Sequence, residues 1–459
     1  MSNGVMYGRR AGDRKPRILY VPQSAASDEG LPDLIAKFPA ELVTAKCLSE
    51  GLAALSRQDV DLLLSDGAPD DQGRLPLPSE LAKAAQAIRV PILVASVPVD
   101  PSALLQMRRL GVVDVILKPC HAREVLLRIR AALTGQRRIA CLGGGTGLFT
   151  LLSGLKDLRR TLLMSIVSMS DDGGSSGQLR SELGILPPGD VRRSLVALSN
   201  APELMNDLVQ FRFQEGGALE QHNLGNLVLA ALTRLKGSMQ EAVRALGDIM
   251  DIHGIVLPSS STLTDLVART SSGALIRGES LITRGAELGP GEWIETLWHE
   301  PDPVPNLETS AAILFADAVI LGPGDLFTSV IANLCIPNIR EAIAATPAKT
   351  IYVCNLMTQP GETPTFSVED HVTELIKHLG GDHLDCLIVS NTALSRHALD
   401  AYARQGQRPV SLRGARDLHA ITGAHIVTAD VGHETELVRH NSRKLAGVIE
   451  QILSSSAPR

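Results

Sequence analysis

The chain's 459 residues are enough for two or three domains with well-buried cores. Hydrophobic residues account for 44% and aromatic residues for only 3%, the composition of an aliphatic α/β protein rather than of a platform that stacks single-stranded nucleic acid. A formal net charge of −6 argues against a dedicated nucleic-acid binder. The apolar stretches are interrupted, as Asp317 interrupts 311–321, and none reaches the roughly 18 residues of a membrane-spanning helix. The basic start, Met1 to Lys15, has no apolar segment behind it, so no secretory signal is expected. Six cysteines (Cys47, Cys120, Cys141, Cys335, Cys354 and Cys386) are dispersed without a C-x-x-C pair, which implies reduced thiols in a soluble cytoplasmic protein.

Residues 17–133 alternate strand candidates at 17–21, 60–64, 91–97 and 114–117 with helical stretches. That alternation predicts a parallel sheet with helices on its faces. Asp66 and Ser96 end two of the strands, and Lys118-Pro119 follows the last, ahead of an amphipathic helix at 122–133. In this pattern the segment resembles a response-regulator receiver domain, which implies a flavodoxin-like α/β unit. A receiver holds Mg²⁺ with an acidic pair after its first strand, and this chain has Pro22, Gln23 and Ser24 there. Hard cations need oxygen ligands, preferably charged ones, so phosphoryl transfer to Asp66 should be weak. The unit is expected to be a degenerate receiver used for contact with a protein partner or for regulation. Residues 134–136, Thr-Gly-Gln, make a short linker to a second domain over 138–455.

The apolar run 139–142 leads into Gly143, Gly144, Gly145, Thr146 and Gly147, then into Leu148, Leu151, Leu152 and Leu155 at helical spacing. Such a β-turn-α unit points free backbone N–H groups and the positive end of the helix dipole at the turn, where glycine admits a bulky anion. A second strand, 162–167, ends near Asp171, Asp172, Gly173, Gly174, Ser175, Ser176 and Gly177. Asp-Gly-Gly-Ser is also ordinary turn chemistry. Two glycine-rich strand ends so close in the chain nevertheless fit one ligand, because open α/β sheets bind ligands outside the carboxyl ends of their strands. Leucine at position 148 breaks the G-x-G-x-x-G pattern, which argues against a dinucleotide-dependent dehydrogenase.

Asp190 follows Pro187-Pro188-Gly189 as an expected N-cap, and Arg192 and Arg193 stand one turn inside, where they serve either a phosphate or an ion pair. His222, Asn223 and Asn226 precede an apolar helix; capping explains one asparagine, and the group suits ligand contact. Glycines and β-branched residues through 239–305 predict hairpins or an inserted cap, with Asp265 undecided between ligand and solvent. Gly322-Pro323-Gly324 repeats the strand-turn-helix device of the first turn, with Asp325 expected to cap. Asn355, Thr358 and Gln359 end the strand 350–354 and can both donate and accept hydrogen bonds. Ser367 with Asp370 reads as a helix cap.

Taken in order, the segments 143–147, 171–177, 186–192, 222–226, 322–324 and 354–362 resemble the gluconeogenesis factor family, itself related to 2-phospho-L-lactate transferase. The resemblance implies a Rossmann-like α/β fold and a role in bacterial cell shape on gluconeogenic carbon sources. It also implies binding of UDP-sugars such as UDP-N-acetylglucosamine. Asp325 and Phe327 depart from the serine and tyrosine expected there. By their places in the family pattern, Tyr402 and Arg439 become candidate UDP-sugar contacts, through ring stacking and a diphosphate pair, with simple packing the equal alternative for Tyr402. The related transferase uses Mg²⁺, for which Asp171 and Asp172 are the candidate ligands. Two functions stay open: a UDP-sugar-binding regulator without turnover, and a Mg²⁺-dependent transferase of a phosphorus-linked group. No unambiguous nucleophile or general base stands out, and a homo-oligomer is expected.

Overall fold

The computed structural model describes residues 14–455 apart from 24–29, 58, 70–74, 216, 286, 287, 290, 382, 415–417, 420, 421 and 436; Ser24 therefore lies outside the described residues. The chain divides into two compact units, one ending at Arg138 and taking in 160–162, the other made of 139–159 and 163 onward.

In the N-terminal unit, β1 (Arg17–Pro22), β2 (Glu41–Thr44), β3 (Leu62–Gly67), β4 (Ile92–Ser96) and β5 (Val112–Leu117) form a parallel sheet in the order β2-β1-β3-β4-β5. This is the flavodoxin-like doubly wound order. Helices cover both faces, so β3 and β4 are buried at every position and read as continuous apolar runs. The edge strand β2 was not expected from sequence. It is four residues long and partly exposed, so it carries neither an apolar run nor strict alternation. Asp66 is fully buried; Lys118 Nζ lies 2.6 Å from its Oδ1, and Tyr20 donates its hydroxyl to Oδ2 at 2.6 Å.

The second unit is built on a seven-stranded sheet. Its strands are β6 (Arg137–Gly143), β7 (Thr161–Val167), β8 (Ile255–Pro258), β12 (Ala318–Leu321), β13 (Lys349–Val353), β14 (Cys386–Ser390) and β15 (His425–Ala429), in the order β15-β14-β13-β12-β6-β7-β8. Counted from β6 the order is Rossmann-like, with the chain winding out through β7 and β8 before returning beside β6 as β12. The helix Gly145–Leu155 buries Leu148, Leu151, Leu152 and Leu155 against this sheet, as their spacing predicts. Cys141 and Cys386 are buried free thiols within it, and Cys354 is a third, just past the end of β13.

Between β8 and β12 the chain inserts a small antiparallel sheet, β10-β9-β11, from β9 (Asp265–Thr270), β10 (Leu275–Arg277) and β11 (Ile294–Glu300). The one-turn-and-a-half helix Glu279–Arg284 follows β10. Sequence predicted hairpins here, and the glycine at 273 supplies the tight turn with φ +90°. Near the carboxyl end, β16 (Gly432–Glu434) pairs with β17 (Val438–His440), so Arg439 lies on a short strand. Ser367 and Asp370 form a full capping box at the helix Val368–Leu379.

Candidate functional site

β6 and β12 are neighbours whose following connections leave in opposite directions, which opens a crevice at their carboxyl ends. The two glycine-bearing turns meet there. Gly322 N–H donates to Leu142 O at 2.9 Å, and Gly147 packs so closely on Pro323 and Gly324 that no side chain fits between them. Asn333, fully buried, donates its amide to Gly143 O at 3.3 Å and to Ser329 O at 2.8 Å, tying the π-helical turn Leu326–Ile331 to the first glycine turn. π-turns of this kind often occur at functional sites.

A cavity of about 450 Å³ opens at this point. Gly144, Gly145, Thr146 and Gly147 line it from the first turn, and Gly324 lines it from the turn after β12. Asp171, Ser175 and Ser176 come from the loop and helix after β7. Arg192 and Asn226 are also in its wall. The two turns after β6 and β7 thus share one cavity.

The electrostatics are divided. Arg192 is buried, its Nε donates to Asn226 Oδ1 at 3.0 Å, and burial with the nearby guanidinium groups of Arg193 and Arg212 pulls it down to about 10. Arg193 and Arg212 also line the cavity. Asp190 is not an N-cap. Its Oδ2 accepts the Gly145 N–H at 2.7 Å and its Oδ1 pairs with Arg193 Nη1 at 3.2 Å, so the carboxylate braces the glycine turn. Burial and the negative charge of Asp171 push Asp190 up to about 6. Glu279, also in the lining, is pushed up to about 7 by burial and by Asp171 and Asp172.

Several candidates stand behind this wall. His222 Nδ1 lies 3.2 Å from Ser175 Oγ, and Asn223 caps the helix Leu224–Lys236 by accepting the Asn226 N–H at 3.2 Å. Asp172 accepts the Ser280 N–H at 2.9 Å and anchors the insert, while Gly322 is buried within its turn. The cavity lining does not include Asn355, Thr358, Gln359, Tyr402 or Arg439, all near the carboxyl ends of β13 and β14 or beyond. Thr358 is fully buried with Oγ1 accepting from Arg408 N–H at 3.0 Å, and Gln359 Oε1 accepts from Gln407 at 2.9 Å. The Tyr402 hydroxyl accepts the Val438 N–H at 2.8 Å, and Arg439 is exposed. Asp265 is exposed and pairs with Arg180, outside the cavity. Asp325, by contrast, lines the cavity, and it occupies the N-cap position of the π-turn without a side-chain cap bond.

Sequence reasoning did not find Glu279, Thr328, Ser329 or Glu362. Glu279 arrives from the insert, where nothing local marks it. Glu362 is almost fully buried and accepts the Phe327 and Thr328 N–H groups at 2.8 and 3.3 Å and the Thr328 hydroxyl at 2.6 Å. Burial and Asp325 push it up to about 8.

Residues 139–431 match the family described as 2-phospho-L-lactate transferase CofD. The chain belongs to that family. It is 39% identical to the gluconeogenesis factor of Bacillus subtilis over 323 residues, which cover 70% of this chain and 99% of that protein. It is 37% identical to the gluconeogenesis factor of Halalkalibacterium halodurans over 318 residues, 68% of this chain and 96% of the relative. A crystal structure of a Bacillus halodurans protein, described as a member of the UPF0052 family, aligns with a TM-score of 0.65 at 37% identity, over 69% of this chain and 99% of that one.

For the Mg²⁺ expected from the sequence resemblance, the described residues hold no group of three carboxylates, imidazoles or thiolates arranged around one point. Asp172 is committed to the insert, whereas Asp171 faces the cavity and keeps Oδ2 for a ligand while Oδ1 accepts the Gly173 N–H at 3.0 Å. One carboxylate fits a cation whose remaining ligands are phosphate oxygens and water. Among the described residues no helix is long and apolar enough to cross a membrane.

Proposed function

We propose that the chain binds a UDP-sugar of the UDP-N-acetylglucosamine type in the β6/β12 crevice and acts as a cytoplasmic regulatory factor for cell shape during gluconeogenic growth. One observation carries the reading: the glycine-rich turns after β6 and β7 and the buried Arg192 open into a single cavity of about 450 Å³, within the usual range for small-molecule sites. The diphosphate lies between the start of the helix Gly174–Leu183 and the guanidinium groups of Arg192, Arg193 and Arg212. Gly145 N–H is already given to Asp190, so the first turn offers Thr146 and Gly147. The uridine runs along the sheet rim toward Asn355, Tyr402 and Arg439. The N-terminal unit, with Asp66 held by Lys118 and Tyr20, serves as a contact surface for a protein partner.

The family match and Asp171 favour a second reading, transfer of a phosphorus-linked group. Mg²⁺ held by Asp171 would neutralise phosphate charge when bound. In that reading the arginines orient the phosphates and Glu279 holds or releases a proton near neutral pH. Calorimetric titration with UDP-N-acetylglucosamine, with and without Mg²⁺, followed by mass analysis after long incubation, separates the two. Binding without product supports the regulator, product formation supports the transferase, and no heat in either condition overturns both.

A further inference from the structure

Arg192, Asn226, Ser175 and His222, all buried, form one hydrogen-bonded chain that starts in the cavity wall and ends behind it. Chemistry fixes its direction. Arg192 Nε can only donate, so the Asn226 atom that meets it at 3.0 Å is the amide oxygen. The amide nitrogen then faces Ser175, whose Oγ accepts it at 3.3 Å and also accepts the Asn223 N–H at 3.3 Å. A hydroxyl accepts twice and donates once, so both acceptor sites of Ser175 are filled. Its proton is left for His222 Nδ1, 3.2 Å away. A proton on Nδ1 would bring a third donor to an oxygen with no site for it, so the neutral imidazole carries its hydrogen on Nε2.

Ser175 lines the cavity, yet all three hydrogen-bonding positions of its hydroxyl are used inside the protein, so it offers a ligand neither a proton nor a lone pair. Arg192 is the member of the chain that reaches the ligand. Its stem is seated on Gly225, where a Cβ would stand 2.7 Å from Arg192 Cδ and closer still to Val209 O. With Nε committed to Asn226, and no ion pair to Arg192 among the described residues, its two terminal nitrogens are left for the cavity that it lines. That edge of a guanidinium pairs with two oxygens of one phosphate.

We propose that His222 is a positioning residue for the ligand: by taking the Ser175 proton it keeps the Asn226 oxygen on Arg192 Nε, and so holds the Arg192 fork toward a phosphate. The ligand is the nucleotide sugar proposed above, whereas the imidazole tautomer belongs to the free protein. Without the imidazole, the Ser175 proton loses its acceptor. Rotation of the Asn226 amide would supply one, but it sets the amide NH₂ against Arg192 Nε, donor to donor, and releases the fork.

Two measurements on the full chain test this. In unliganded protein carrying isotope-labelled histidine, at mildly alkaline pH, the imidazole signals lost in His222→Gln are expected to show Nδ1 unprotonated and Nε2 protonated. A proton on Nδ1 overturns the proposal whatever the protein binds. Calorimetric titration with UDP-N-acetylglucosamine then compares the parent, His222→Leu and His222→Gln, each also combined with Arg192→Lys. His222→Leu is expected to lower affinity about tenfold, and His222→Gln, whose amide oxygen can accept the Ser175 proton, to recover most of it. With Arg192→Lys in place, the loss from His222→Leu is expected to shrink to about twofold or less, because the positioned group is gone. Equal losses in both backgrounds would show that His222 only supports the fold, and overturn the proposal. Ser175→Ala cuts the chain at its middle and is expected to show the same dependence on Arg192, which answers the question if His222→Leu does not fold. A parent that binds no UDP-N-acetylglucosamine overturns the nucleotide-sugar reading and the ligand assigned here with it, and the imidazole signals tell that failure from failure of the hydrogen-bond chain.

Discussion

Gly147→Ala probes the contact on which the crevice depends. Gly147 lies in the first turn of the helix Gly145–Leu155, where alanine would ordinarily gain up to about 1 kcal/mol of helix propensity. A Cβ there, however, would stand 2.6 Å from the carbonyl carbon of Pro323 and 2.9 Å from Gly324 N, and closer still to the Pro323 oxygen. Non-bonded carbon atoms sit about 3.5 to 4.0 Å apart, so the turns after β6 and β12 must separate by roughly 1 Å. All three obstructing atoms are backbone, and no rotamer change relieves them. Overpacking of this kind costs about 1–3 kcal/mol. The larger effect falls on the ligand, because both turns line the same cavity. UDP-N-acetylglucosamine affinity is expected to fall about tenfold or more, measured calorimetrically beside the melting temperature. Gly447→Ala in the helix Ser442–Ser454 meets nothing within 4 Å and serves as the control, with binding unchanged and stability equal or slightly higher. If Gly147→Ala bound and melted like the parent, the close approach of the two turns would not define the site.

Asp190→Asn tests the buried carboxylate. Its pKa is raised to about 6 by burial and Asp171, so its stabilising contribution is complete below about 3.8 and lost as pH rises through about 6. The stability of the asparagine variant relative to the parent is therefore expected to improve by about 1–3 kcal/mol between acid and neutral pH, read from melting curves across that window; a difference that does not vary with pH refutes the assignment. Asp66 is expected to take no phosphoryl group from acetyl phosphate, because Lys118 and Tyr20 occupy its two oxygens, and a stable mass increase on the intact protein would show otherwise. Arg439→Ala, at an exposed position, is expected to lower UDP-sugar affinity without moving the unliganded melting temperature, whereas equal affinity would remove Arg439 from the ligand's path. Glu362→Ala leaves the buried Phe327 and Thr328 N–H groups without their acceptor and is expected to cost about 2–5 kcal/mol in stability, checked by denaturant unfolding.

The sequence by itself determined what neighbours in the chain decide. Apolar runs of four to seven residues ending in Gly143–Gly147 or Asp171–Gly177 dictate strand, turn and helix start. Leucines at helical spacing dictate which face is buried, and Ser367 with Asp370 dictates a capping box, because each effect acts within a few residues. The tertiary structure decided the rest. It placed β12 beside β6 and so created the crevice, turned Asp190 from an expected cap into a brace for Gly145, and carried Glu279 in from a hairpin insert. It put His222 and Asn223 behind Ser175 rather than in the cavity wall. Strand order and the approach of an insert depend on packing between segments more than a hundred residues apart, as Asp172 and Ser280 are, and local propensity carries no record of which distant segment arrives.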